Sequence, residues 1–112
     1  MIRSKHGNRK VTVDGITYDS RGEAKRSCEL RLMERAGLIQ NLTLQPSFII
    51  HDAFTDAQGN RWRAITYRAD FQYTEAGKTI VEDFKGFETA EFKIKRKLFL
   101  NRYRDLVFRL SK

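Results

Sequence analysis

The chain has 112 residues, 22 of them Lys or Arg against 14 Asp or Glu, and a formal net charge of +8. That length supports one hydrophobic core rather than two, and the charge balance favours a polyanionic partner, nucleic acid before any acidic small substrate. The single cysteine, Cys28, excludes an internal disulfide. No apolar run approaches the ~20 residues that span a bilayer, and the first residues lack a signal peptide's apolar stretch. The expectation is an intracellular, cytoplasmic protein with no membrane contact.

In chain order, Met1 to Lys10 carries Arg3, Lys5, His6, Arg9 and Lys10. This predicts a mobile basic arm over residues 1–10 and a single domain over 11–112. Asp14-Gly15 sits between the alternating segments Val11 to Val13 and Ile16 to Tyr18, a strong signal for a tight hairpin. Ser20, three residues before Glu23, opens a helix of about Ser20 to Ala36 that Gly37 ends. Ala24, Cys28, Leu32 and Ala36 give that helix one apolar stripe, with Cys28 as a small buried side chain, while Arg21, Lys25, Arg31 and Arg35 stay wet.

Leu42 to Ile50, Arg61 to Tyr73 and Thr79 to Lys85 are rich in β-branched and aromatic residues and read as an antiparallel meander. Asp56 to Asn60 and Glu75 to Gly77 supply its turns. Pro46, the one proline, restricts its segment to an edge or to a bend at the strand's start. Thr89 caps a second helix through about Tyr103, with Phe92, Ile94, Leu98, Phe99 and Tyr103 as its apolar side. Leu106 to Leu110 is a last strand, parallel to its neighbour because it follows a helical crossover. The fold class is therefore α/β with a mixed sheet: an N-terminal hairpin followed by an αβββαβ core.

The chemistry concentrates in Ile80-Val81-Glu82-Asp83-Phe84-Lys85-Gly86, where an apolar strand carries three charges that burial alone would disfavour. Alternation puts Val81, Asp83 and Lys85 on one face and Ile80, Glu82 and Phe84 on the other. Pairing across the turn at residues 75–77 brings Asp70 toward Asp83. Two converging carboxylates suit a hard divalent cation such as magnesium, with the Phe84 carbonyl as a further oxygen and Lys85 beside the reacting water. Glu23 is a third acidic candidate, although a capping box returning it to the Ser20 amide accounts for it equally well. Asp70 and Asp83 can also be read as strand-end carboxylates held by Lys85 or Arg68.

An acidic residue on the first helix, then Asp70, then Asp83-Phe84-Lys85 after a short turn resembles the PD-(D/E)XK nuclease superfamily. Tyr18-Asp19-Ser20 with Glu23-Ala24, Leu44-Gln45-Pro46, Ala69-Asp70-Phe71, Val81 to Gly86, and Thr89 followed by Lys93 and Lys97 resemble small phage proteins placed in that superfamily. The match runs from about Val11 to Arg104. The plan is also similar to a phage endonuclease that resolves four-way (Holliday) junctions as a homodimer. The resemblance implies Mg2+, with Mn2+ as substitute, held by Asp70, Asp83, Phe84 and Glu23. It makes Glu23, Asp70, Asp83 and Lys85 catalytic and Gln45 an active-site support, with no small-molecule cofactor. Ala69 stands where the motif has proline, and Asp83 replaces the commoner glutamate.

For DNA contact, Lys93, Lys97 and Arg104 recur at spacings of four and seven with Arg96 nearby, and Arg9 and Lys10 lie in the arm; such residues grip phosphates without reading sequence. Trp62 and the strand Phe and Tyr residues read as core. His6 and His51 are isolated and pair with no nucleophile. The expected function is a metal-dependent DNA endonuclease, selective for branched structures and acting as a homodimer in phage recombination or replication. The alternative is a basic nucleic-acid-binding protein that keeps the fold without turnover.

Overall fold

The computed structural model describes residues 9–112. The basic arm expected over residues 1–10 thus lies outside the described residues except for Arg9 and Lys10, both exposed. The fold is a mixed α/β arrangement of two helices and several small sheets.

Strands β1 (Val11–Val13) and β2 (Ile16–Tyr18) pair antiparallel. Their turn holds Asp14 at φ 52° and Gly15 at φ 79°, the left-handed pair that a two-residue hairpin needs to match strand twist. Helix α1 (Arg21–Arg35) follows, with Ser20 as N-cap accepting from the Glu23 amide. At its other end the Gly37 and Leu38 amides return to the Glu34 and Met33 carbonyls, which satisfies the orphan acceptors of the last turn. Tyr18 fastens the hairpin to this helix: its hydroxyl pairs with Ser27 Oγ at 2.8 Å and both residues are buried.

The apolar stripe expected on α1 is corrected. Its buried residues are Glu23, Ala24, Ser27 and Leu30, whereas Cys28 is exposed and Leu32 is 61% exposed. Hydrophobicity misplaces this face because two of its buried side chains are polar and bond to Asp19 and Tyr18, outside the helix.

The central sheet runs β10-β9-β8-β3, from strands β3 (Gln40–Leu44), β8 (Phe71–Glu75), β9 (Lys78–Phe84) and β10 (Val107–Ser111). Strands β3 and β8, and β8 and β9, pair antiparallel, and β10 lies parallel to β9 as the crossover predicts. Helix α2 (Ala90–Arg102) makes that crossover, capped by Thr89 Oγ1 accepting from Phe92.

Two of the expected long strands are interrupted. At Gln45-Pro46, where Gln45 has φ 53°, the chain leaves β3 and starts β4 (Ser47–His51), which pairs with β7 (Ile65–Arg68). Across from it β7 gives way to β8 at Ala69-Asp70, and the Ala69 amide donates to the Pro46 carbonyl. One bend therefore passes through both strands of a ribbon, as a proline without an N–H allows only at a strand start. Beyond it, β5 (Phe54–Thr55) and β6 (Arg61–Trp62) form a small terminal hairpin. Trp62, expected in the core, is 54% exposed there.

Alternation on β9 divides the core into two layers. Ile80 packs with Leu30, Ile39, Phe71 and Tyr73 under α1, while Val81 packs with Ile50, Tyr67, Ala69, Phe92 and Phe99 under α2. Ile94, expected on the apolar side of α2, is 62% exposed. Among the described residues no helix is long and apolar enough to cross a membrane.

Candidate functional site

Three elements converge where β8 and β9 pass the start of α1. The register Phe71↔Glu82, continued one step, sets Asp70 opposite Asp83. The Asp70 amide donates to the Glu82 carbonyl, and Asp70 Oδ2 accepts from the Phe84 amide at 2.7 Å. Asp70 is thereby fixed at both its backbone and its carboxylate.

Asp83 stands on the α2 face with 1% of its side chain exposed. Its Oδ2 accepts from the Tyr67 hydroxyl at 2.6 Å and lies 3.8 Å from Lys85 Nζ. Burial, followed by the neighbouring Asp70 carboxylate, raises the Asp83 pKa to about 8 against the help of Tyr67 and Lys85. Lys85 is one-third exposed and rests 5.0 Å over the Phe92 ring, so its ammonium is held between Asp83 and α2.

Glu23 reaches the same place from α1. It is 3% exposed, and Oε2 accepts from the Asp19 amide at 3.1 Å. The capping contact expected at Ser20 thus falls one residue earlier. Burial first, and then Asp70, push the Glu23 pKa up to about 7.

Gly22 makes this approach possible. A Cβ there would sit 2.1 Å from Phe84 Cζ, so only glycine lets the first turn of α1 lie against β9 without displacing the ring. Residue pattern alone gives Gly22 no role. Its signal was an unexplained glycine inside the first turn of a helix, where it costs up to ~1 kcal/mol against alanine.

The three carboxylates form a row with Asp70 in the middle: Glu23 and Asp83 each interact with Asp70. Among the described residues, no group of three or more His, Cys, Asp or Glu side chains is placed so that it could hold a metal ion together. What the fold offers a hard cation is the adjacent pair Asp70 and Asp83 rather than a three-ligand group. Asp83 Oδ1 is buried without a hydrogen-bond partner, and adjacent carboxylates in a buried row need a proton or a cation to coexist. An open cavity of about 580 Å3 fronts the row. Arg9, Arg21, Glu23, Asp70, Phe84 and Lys85 line it, and the buried Asp83 does not.

Glu82 points to the opposite face, as alternation predicts. Arg26 grips both its oxygens, at 2.6 and 3.1 Å, and the Tyr73 hydroxyl donates to it. Burial pushes this carboxyl up, and those partners outweigh it and hold the pKa below the ordinary value. Sequence reasoning left Arg26 unassigned, because its partner is 56 residues away.

The remaining candidates separate. The Gln45 amide N–H donates to the Asp70 carbonyl at 2.9 Å, while the Gln45 side chain donates to the Thr17 carbonyl. Gln45 thus buttresses the backbone beside Asp70 and ties down the hairpin. Lys93, Lys97 and Arg104 are exposed. Arg96 pairs with Glu88 at 2.9 Å and lies over the Phe92 and Phe108 rings, so it serves the core rather than a free surface.

Residues 3–111 match the model of a family described as a protein of unknown function (DUF1064). The chain belongs to that family. No curated protein and no solved structure matches this DUF1064 member.

Proposed function

We propose that this DUF1064 protein is a divalent-metal-dependent DNA endonuclease of the PD-(D/E)XK type. The observation that carries the reading is the row Glu23–Asp70–Asp83, with the orphaned Asp83 Oδ1 and the Lys85 ammonium beside it, behind a cavity that also presents arginines. Asp70, Asp83, Glu23 and the Phe84 carbonyl would hold Mg2+ or Mn2+. Such an ion, when bound, polarises the scissile phosphodiester and lowers the pKa of a water.

The chain's own groups supply the rest. The Phe84 amide and Tyr67 hydroxyl fix the Asp70 and Asp83 carboxylates before substrate arrives, so little reorganisation is needed at reaction. Lys85 donates from Nζ toward the attacking water or a non-bridging phosphate oxygen, where negative charge develops. Arg9 and Arg21 grip neighbouring phosphates, which positions DNA without reading its sequence. Symmetric cuts across a four-way junction call for two such sites, and hence for a homodimer.

The competing reading is a non-catalytic nucleic-acid-binding protein. The burial of Asp83, which does not line the cavity, favours it. Cleavage of supercoiled plasmid and of four-way junctions with Mg2+ or Mn2+ decides between them. The expected result is cutting that Asp83→Asn and Lys85→Ala each reduce by about a hundredfold or more. Absence of cutting in both metals, or an Asp83→Asn variant that cuts like the parent, would sink the enzyme. Asp70→Ala binding DNA at least as tightly as the parent, with no metal heat in calorimetry, would then establish the competitor.

A further inference from the structure

Far from the carboxylate row, the β5–β6 hairpin exposes aromatic surface that the nuclease reading does not use. Phe54 and Trp62 are cross-strand partners, 49% and 54% exposed, with rings stacked at 6.3 Å and 17°. His51 continues the row, 5.6 Å from Phe54. One exposed aromatic is ordinary on a protein surface, but a row of three exposed rings along a ribbon tip is a patch with a use.

The row is held in place. Asp56 accepts from Trp62 Nε1 at 2.9 Å and from the Gln58 and Asn60 amides. The indole's polar edge is therefore satisfied inside the protein, and what it offers outward is its π-face. The local acids are also committed: Asp56 to these donors, and Asp52 to Arg102 at 2.8 Å. Arg61 and Arg63 flank Trp62, and neither has an ion-pair partner among the described residues. A shallow cavity of about 430 Å3 runs between these arginines and the rings. Free cations around an exposed stack suit a partner with both flat apolar faces and anionic linkages, which a nucleic acid strand supplies and an apolar protein helix does not.

We propose that this hairpin is a second nucleic-acid contact: Trp62 and Phe54 stack on unpaired bases of a DNA strand while Arg61 and Arg63 hold its phosphates. The inference rests on the nuclease reading for its purpose. Trp62 lies eight residues before Asp70, so the two are at most about 29 Å apart, and one DNA molecule can engage both. A base that must be unstacked to reach the hairpin makes branched or gapped DNA the preferred substrate over an intact duplex.

Trp62 is the chain's one tryptophan, so its fluorescence reports the contact directly. The protein is titrated in EDTA, where no cutting occurs, with a thymidine 16-mer, an abasic 16-mer of equal charge, a blunt duplex and heparin. The thymidine strand should quench Trp62 and the other three should quench it little. By anisotropy of the labelled thymidine strand, Trp62→Leu and Arg61→Ala/Arg63→Ala should each weaken binding roughly tenfold or more, while Trp62→Phe stays near the parent. Equal quenching by the abasic strand or heparin overturns the stacking contact. So does unchanged affinity in both Trp62→Leu and the arginine pair, or Trp62 quenching that rises with protein concentration alone, which would mark a contact between copies. Because no metal is present, failed cleavage leaves this result standing, and failed quenching leaves the cleavage assay untouched.

Discussion

The Asp56 carboxylate ties the turn at residues 56–60 to Trp62, beside two backbone hydrogen bonds that close the same turn. Its hydrogen bonds from Trp62 Nε1 and then from the Asn60 and Gln58 amides hold its pKa below the ordinary aspartate value. A depressed folded-state pKa means that the interaction is fully present above the unfolded value and is lost as pH falls through the folded one. Acidification below the ordinary aspartate range, near 4, should therefore shift Trp62 emission while far-UV circular dichroism stays constant. Asp56→Ala should show the released emission throughout, with no acid transition; a transition of the same size in that variant would refute the assignment. This arrangement was only partly legible. Asp56 to Asn60 reads as a turn from residue type, but an exposed tryptophan does not, because β-propensity and hydrophobicity describe its ring without saying whether another layer covers it. Glu82 shows the same boundary. Alternation put it on the face away from Asp83, whereas its grip by Arg26 depends on a pairing across 56 residues.

At the level of elements, the first turn of α1 lies so close to β9 that residue 22 has no room for a Cβ. A methyl at residue 22 would meet the Phe84 ring at 2.1 to 3.1 Å, so either the ring rotates away from α1 or the helix start lifts from the sheet. Overpacking of this kind costs about 1–3 kcal/mol. Lifting also withdraws Glu23 from Asp70. Gly22→Ala should lower the unfolding free energy measured in urea by that amount and weaken Mn2+ binding by calorimetry, even though alanine is the better helix former. A Gly22→Ala variant more stable than the parent, with unaltered metal heat, would show that the close approach carries no function. The caps were legible because capping is local: Ser20 and Thr89 are where residue type places them. The buried face of α1 was not, since Glu23 and Ser27 are buried for partners on other elements, Asp70 and Tyr18. The strands were found by composition, but their interruption at Gln45-Pro46 requires knowing that Ala69-Asp70 bends with it. That bend turns Asp70 toward Glu23 and Asp83.

Over the whole molecule the net charge of +8 must be divided between cations that serve the fold and cations free to meet phosphate. Arg26, Arg96, Arg102 and Arg109 are each paired with a carboxylate at 2.6 to 2.9 Å. Lys93 and Lys97 are exposed, four residues apart on α2, with no ion pair among the described residues. Each phosphate contact releases counterions and steepens the fall of log Kobs with log salt by about 0.9 for duplex DNA. Lys93→Ala/Lys97→Ala should therefore flatten the slope by nearly 2 and leave the thermal midpoint close to the parent's. Arg96→Ala should do the reverse: it strands Glu88 and uncovers the Phe92 and Phe108 rings, lowering the midpoint while the salt slope stays. Titrations on one duplex from 50 to 200 mM salt, alongside calorimetric melting of the three proteins, separate the two roles. A double lysine variant with an unchanged slope would remove α2 from the DNA-binding face and leave the cavity arginines and the hairpin to hold the substrate.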